Sequence, residues 1–221
     1  MIKPVPYEVV QFHKHLVTQL QALGETRSFT AGSPIASLGA ADAAIYLVVR
    51  GAVSIQIVDC EQAQELTATH VAPHEVFGFA EAERSGEQQR LRIHAEAKTD
   101  CVVIELQRSQ LLVLAVQHPD LLIEVCNGLA RFSMKAMEKV GRFALFSARG
   151  RISSALVDLC ALPDAATHPD GYQVKISKVG LAKLAGCTRE MVGRVMKELH
   201  QDGLITSFGR KTIVHHDTPA L

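Results

Sequence analysis

Several things are missing from this 221-residue chain, and each absence narrows what it does. Its five cysteines, Cys60, Cys101, Cys126, Cys160 and Cys187, are scattered and never form a CxxC pair. No zinc or iron–sulfur site is therefore indicated, and most of the thiols are expected to be buried as small hydrophobes. No apolar run reaches the roughly 20 residues that a membrane helix needs. The opening MIKPVPYEVVQF lacks the apolar core of a signal peptide, so a cytoplasmic location is expected. There is no nucleophile elbow, no HExxH and no phosphate-binding glycine loop. The histidines that invite a metal reading do not hold up. His70 and His74 straddle Pro73, which spoils helical i,i+4 geometry, and His215 and His216 point to opposite faces of a strand. Neither an enzyme nor a metal protein is expected. Internal repeats are also absent, and 48% apolar residues suffice to bury a proper core.

Net charge is missing too, with 23 Lys and Arg against 23 Asp and Glu, but the balance hides an asymmetry. Residues 1–110 carry 9 basic and 13 acidic groups, residues 111–171 carry 6 of each, and residues 172–221 carry 8 basic and 4 acidic. The last segment is where a polyanion would be attracted.

What that segment contains is SKVGLAKLAGCTREMVGRVMKEL, residues 177–199, which reads as two short helices joined by a tight turn. At about 100° per residue, Arg189, Glu190, Gly193, Arg194 and Lys197 fall on one side of the second helix. Met191, Val192, Val195, Met196 and Leu199 fall on the other. The apolar side suits packing on Val179, Leu181 and Leu184 of the first helix. Ser177 and Thr188 are expected to cap the two helices, and Gly186 fits a turn that needs positive φ. Gly193 costs about 1 kcal/mol of helix stability relative to Ala, and close approach of the helix backbone to a DNA strand would explain it. Downstream, GLITSFG and RKTIVHH read as two short strands around a Gly-Arg-Lys turn. A helix pair followed by a small basic hairpin is a winged helix-turn-helix, whose second helix enters the major groove.

The segment GCTREMVGRVMKEL, with DAATHPDGYQVKIS before it and DGLITSFGRKTIV after it, resembles the DNA-binding part of the Crp/Fnr regulators, in their cyclic-AMP receptor protein branch. The resemblance implies that Arg189, Glu190 and Arg194 read base edges in half-sites like TGTGA. The chemistry suits the roles: arginine is bidentate to guanine O6 and N7, and glutamate accepts from the cytosine amine. Lys178, Thr188, Ser177, Lys197 and Arg210 or Lys211 are candidates for backbone contact, which positions without reading sequence. It further implies that Ala165, Thr167 and His168 touch the RNA polymerase α subunit. The N-terminal cysteine cluster of the family's oxygen sensors is absent here. A ligand-binding or interaction module that keeps the helix pair only as scaffold is the competing reading. Against it, a scaffold needs only the apolar face.

The fold class expected is α+β, in three parts. Residues 1–118 form a cyclic-nucleotide-binding-like β-roll, with strands at Ile45–Val49, Val53–Val58, Leu66–Val71, Leu91–Ala95 and Cys101–Leu106 and an opening helix Tyr7–Leu23. Residues 119–146 form a long helix and hinge. Residues 147–221 form the winged helix-turn-helix. Leu122, Cys126, Leu129, Ser133, Ala136, Val140 and Phe143 recur along the long helix at spacings of four and three, a coiled-coil seam through which a homodimer would form. Packing of that face on the same chain is the alternative.

The sensor departs from the family. Gly78 of the phosphate cassette is kept, but Phe79 stands where a carboxylate would hold the ribose. The Arg-Ser pair has become Arg90-Leu91-Arg92 when anchored on Lys98-Thr99. Ala136 and Met137 occupy the places of two adenine-contacting hydroxyls. Each hydrogen bond lost in a buried site costs about 1–3 kcal/mol, so no response to cyclic AMP is expected. Two readings of the pocket stay open: another anion such as a cyclic dinucleotide, with Gly78, Arg90, Arg92 and Met137 near it, or a degenerate scaffold that needs no effector.

Overall fold

The computed structural model describes residues 17–37, 44–78, 90–216 and 218. The N-terminal unit is built on two four-stranded antiparallel sheets. One takes the order β1-β8-β3-β6, from Glu25–Phe29, Cys101–Gln107, Ala44–Arg50 and Val76–Gly78. The other takes the order β2-β7-β4-β5, from Pro34–Ser37, Leu91–Ala97, Val53–Asp59 and Gln64–Val71. Apolar residues from both bury completely, among them Val48, Val53, Phe77, Ala95 and Val103. Tyr46 and Phe77 stack across adjacent strands with ring centroids 5.0 Å apart. Gly51 links β3 to β4 with φ +80°, and a Cβ there would lie 2.3 Å from the Asp100 carbonyl, so only glycine fits.

The five strands expected from β-branched runs are all present, each extended by up to two residues at an end. Strands β1, β2 and β6 escape such a reading because they are three to five residues long. Strand β1, ETRSF, is mostly exposed and holds its place through backbone pairing with β8 and an Arg27–Glu105 ion pair at 2.6 Å.

Three helices complete this unit. The described part of α1 covers residues 17–23, and the earlier portion of the expected Tyr7–Leu23 helix lies outside the described residues. Helix α2, Arg108–Gln117, follows β8 directly. Pro119 ends α2 and opens α3, Pro119–Leu145, at the position where a missing N–H costs nothing. Leu20, Leu47, Val76, Ile104, Leu106, Leu114, Leu121 and Val125 form one cluster, so α1, α2 and the start of α3 share a core with the first sheet.

The chain parts into two compact units within α3, between residues 136 and 137. In the C-terminal unit, Ser147 caps α4, Ala148–Cys160, accepting from the Gly150 amide at 3.2 Å. Then come β9, Ala166–His168, and β10, Gly171–Lys175, then α5, Lys178–Ala185, and α6, Arg189–Gln201. The hairpin of β11, Ile205–Phe208, and β12, Lys211–His215, finishes a sheet of order β11-β12-β10-β9. Ile152, Leu156, Leu181, Val192, Leu199 and Ile205 bury almost completely to form its core.

Candidate nucleic-acid interface

Helices α5 and α6 form the expected pair, and their ends are built from the residues that sequence chemistry demands. Ser177 Oγ accepts from the Gly180 amide at 3.0 Å and Thr188 Oγ1 from the Met191 amide at 3.2 Å. Gly186 sits between them at φ +57°, ψ +48°. A Cβ there would stand 2.7 Å from the Phe143 ring, so backbone conformation and packing both require glycine.

The end of α5 carries a second device. Its last carbonyls take cations: Arg151 Nε donates to the Ala185 carbonyl at 2.9 Å, and Lys139 Nζ donates to the Leu184 carbonyl. Positive charge at a helix C-terminus is favourable. Lys139 and Arg151 also lie near the Phe143 ring, at 5.3 and 5.9 Å from its centroid respectively. Arg149 ties α4 to the end of α6 through Asp202 at 2.6 Å. These groups fix the helix pair, yet none stands out in the sequence, because each acts on a backbone carbonyl or an acid many residues away.

Burial holds the Lys139 ammonium at about 8, against an ordinary value of 10.5. Between these values the folded chain has released a proton that the unfolded chain still binds. Stability of the C-terminal unit should therefore rise from about pH 8 towards 10.5, by at most about 3 kcal/mol from this group. The Cys160 thiol, pushed up by burial to about 11, acts in the opposite sense. Urea unfolding of the wild type and Lys139→Met at each pH separates the two. The variant should lack the rise, and parallel curves would show that Lys139 does not titrate in this range.

With Val192, Val195 and Leu199 buried beneath α6, Arg189, Glu190, Arg194 and Lys197 are exposed together. Among the described residues no hydrogen bond or ion pair engages these four side chains. Glu190 lies in the first turn, where the helix dipole favours an acid. A Cβ on Gly193 would meet only Lys178 Nζ, at 3.8 Å, so nothing among the described residues requires glycine there. The wing turns at Gly209, φ +63°, and is tied to the approach of α5 by the Ile176 amide donating to the Arg210 carbonyl at 2.9 Å. Arg210 and Lys211 are exposed at its tip. Lys178, at the start of α5, lies on the same side as Gly193 and Lys197.

Other expected site residues fall out differently. Ala165, Thr167 and His168 lie in and beside the β9–β10 hairpin, with Thr167 exposed. The Asp170 amide donates to His168 Nδ1 at 3.2 Å. Gly78 ends β6 opposite Ile45, while Phe79 lies outside the described residues. Arg90 is held by Asp59 at 2.9 Å and approaches Glu61 at 3.4 Å, and the Arg90 guanidinium in turn lowers the Asp59 carboxyl. Arg92 pairs with Val58 across β4. Strand alternation puts Arg92 on the face opposite buried Ala95 and Ala97, and Arg90 shares its parity. The structure thus directs neither arginine to the buried face of the roll.

The residues expected at a seam on α3 differ in how far their own chain covers them. Leu122 and Leu129 pack against the core of their own unit, Ala136 is half-buried, and Phe143 is taken by Gly186, Lys139 and Arg151. The exposed stripe is Ile123, Cys126, Ala130, Ser133, Met137, Val140 and Ala144, at spacings of three and four. Cys126, Ser133 and Val140 are common to both sets, and the other positions move by one residue. Ile123, Met137 and Val140 are 56%, 64% and 59% exposed. The cysteines need correction too: Cys101 and Cys160 are buried, Cys187 is half-buried, and Cys60 and Cys126 are exposed. Among the described residues no cluster of three or more His, Cys, Asp or Glu side chains could hold a metal, and no helix is long and apolar enough to cross a membrane.

A β-roll followed by a long helix and a winged helix-turn-helix with a free basic reading face defines a DNA-binding regulator with an attached sensor domain. Comparison with known proteins gives the family. Residues 26–118 match the cyclic nucleotide-binding domain and residues 150–221 the Crp-like helix-turn-helix domain. The cAMP-activated global transcriptional regulator Vfr of Pseudomonas aeruginosa is 34% identical over 202 residues, 91% of this chain and 94% of Vfr. The cAMP-activated regulator CRP of Salmonella typhimurium is 33% identical over 171 residues, 77% of this chain and 80% of CRP. Among solved structures, the c-di-GMP-responsive regulator CLP of Xanthomonas campestris aligns at TM-score 0.71 and 26% identity, over 91% of this chain and 99% of CLP. The chain belongs to the Crp/Fnr family of DNA-binding transcription regulators.

Proposed function

We propose that the protein acts as a homodimer that reads a TGTGA-like palindrome through Arg189, Glu190 and Arg194. The observation that carries this reading is the joint exposure of those side chains on one face of α6, unpaired among the described residues, above buried Val192, Val195 and Leu199. Side chains with no partner in their own protein are available to base edges without first breaking an internal bond. Lys178, Ser177, Thr188, Lys197, Arg210 and Lys211 surround them as phosphate partners. Dimerisation runs along the exposed stripe of α3, and two reading helices on a two-fold axis match an inverted repeat one turn apart. The β9–β10 hairpin, with exposed Thr167, supports contact with the RNA polymerase α subunit. A shift assay with a TGTGA palindrome and a scrambled duplex of equal length tests the reading. Equal affinity for both would overturn it.

The sensor is not tuned to cyclic AMP in this reading, although the relatives Vfr and CRP are named for that activation. Ala136 and Met137 offer no hydroxyl, and Arg90 is already neutralised by Asp59. Isothermal titration with cyclic AMP should show binding weaker by orders of magnitude than micromolar. Micromolar binding with normal stoichiometry would overturn this. The likeness to CLP favours a second reading, a cyclic dinucleotide effector. Titration with cyclic di-GMP in the same experiment decides between that effector and a scaffold needing none.

A further inference from the structure

A groove of about 240 Å³ lies between the start of α5, the C-terminal half of α6 and the wing. Its polar wall comprises Ser177, Lys178, Lys197, His200, Ser207 and Thr212, and the backbone of Gly193 forms part of its floor. His200 stands 11 positions after Arg189, almost whole turns of the helix, which returns it to the same side of α6 some 16 Å further along. The ring is fixed. Its Nδ1 lies 3.0 Å from the Ile205 carbonyl, which only accepts, so Nδ1 carries a hydrogen and Nε2 is the atom that gains or loses the titrating proton.

The charges around the groove are of one sign. Lys178 comes from α5 and Lys197 from α6, while the wing contributes only the hydroxyls of Ser207 and Thr212. The nearest acids in sequence, Glu198 and Asp202, are turned to Arg149 of α4, at 3.9 and 2.6 Å. Among the described residues the lining of the groove thus holds two lysines with His200 and no carboxylate. Ser177 Oγ accepts from the Gly180 amide, which leaves its hydroxyl hydrogen available to an anion. An arriving phosphate would supply the counterion that the groove lacks.

We propose that this groove seats a backbone phosphate of the bound duplex and that protonated His200 is one of its ligands, so that DNA binding takes up a proton. The inference rests on the DNA-reading role proposed for α6. Its consequence is specific: operator affinity falls as His200 loses its proton, and the contact is to backbone, so random duplex shows the same trend.

The test is fluorescence anisotropy of the full chain with a labelled palindrome and a random duplex, at fixed ionic strength, across the range in which histidine titrates, about pH 6 to pH 8. Wild-type affinity should fall roughly fivefold for both duplexes, with a steeper salt dependence at the lower pH. In His200→Gln the pH trend should disappear for both. A variant that keeps the wild-type trend would overturn the proposal. Because the substitution also alters the Ile205 contact, a second measurement uses the unaltered protein. The titration midpoint of the His200 ring, followed by NMR, should move up when duplex is added, and an unmoved midpoint would overturn the proposal. Inorganic phosphate in place of duplex separates the sources: a saturable shift of the ring signals by phosphate alone would assign the groove to a free anion instead. Duplex binding without pH dependence would sink only this inference, whereas no duplex binding at any pH would sink the DNA-reading role with it.

Discussion

Arg194→Ala should weaken binding to the matched palindrome by about 1–3 kcal/mol per half-site and relax selection at one G·C pair. Two half-sites double the loss in a homodimer, so operator affinity should drop by about 2–6 kcal/mol while affinity for random duplex changes little. The structure explains why the effect should be confined to reading. Arg194 is exposed on α6 and bonded to no described residue, so its removal leaves no buried group unpaired and the fold intact. Arg189→Ala should behave alike at a different base pair. Lys178→Ala should lower affinity for matched and random duplex equally and flatten the salt slope by about one per half-site. Anisotropy titrations over a set of single-base variants of the palindrome read all three. Equal loss on matched and random DNA for every variant would show that the roles are misassigned.

Val140→Asp should convert the proposed dimer to monomer and lower palindrome affinity about a hundredfold or more, to the level of an isolated half-site. Val140 is 59% exposed in the single chain, so a carboxylate there costs the protomer little. At a seam position on a two-fold axis the same change opposes two carboxylates and removes the apolar contact at once. Val116→Asp, on α2 and 83% exposed, is the matched control that should stay dimeric. Sedimentation equilibrium gives the state directly. Cys126, exposed on the same stripe, offers an independent check, because mild oxidation should link two wild-type protomers through it. A Val140→Asp protein that remains dimeric would move the interface off this stripe.

The two devices differ in how far the sequence disclosed them. In α6 the apolar and polar residues separate cleanly at the helical period, and Ser177, Thr188 and Gly186 mark the ends of the helix pair by local chemistry alone. The structure places all of them as that chemistry requires. In α3 the same period did not separate covered from uncovered residues, for Leu122, Leu129, Ala136 and Phe143 of the expected seam are half-buried within the single chain. Leu122 and Leu129 are as apolar as any seam position, and only the presence of the first sheet's core beside them shows which partner they take. Periodicity says which residues leave water, not what they meet.

The five longer strands were visible as β-branched runs, and the short strands β1, β2 and β6 were not, because their place comes from backbone pairing with longer neighbours. Arg90 and Arg92 looked like a phosphate pair in one dimension. Strand alternation and the Asp59 carboxylate across the ladder turn them outward in three.

Local rules therefore determined this protein's reading helix, its caps, its turn and its longer strands, since each depends on neighbours within a few residues. Only tertiary structure decided which face of α3 stays uncovered, which carbonyls Lys139 and Arg151 cap, and that His200 joins Lys178 and Lys197 around one groove. Those outcomes hang on contacts between residues far apart in the chain, and no pattern of spacing encodes them.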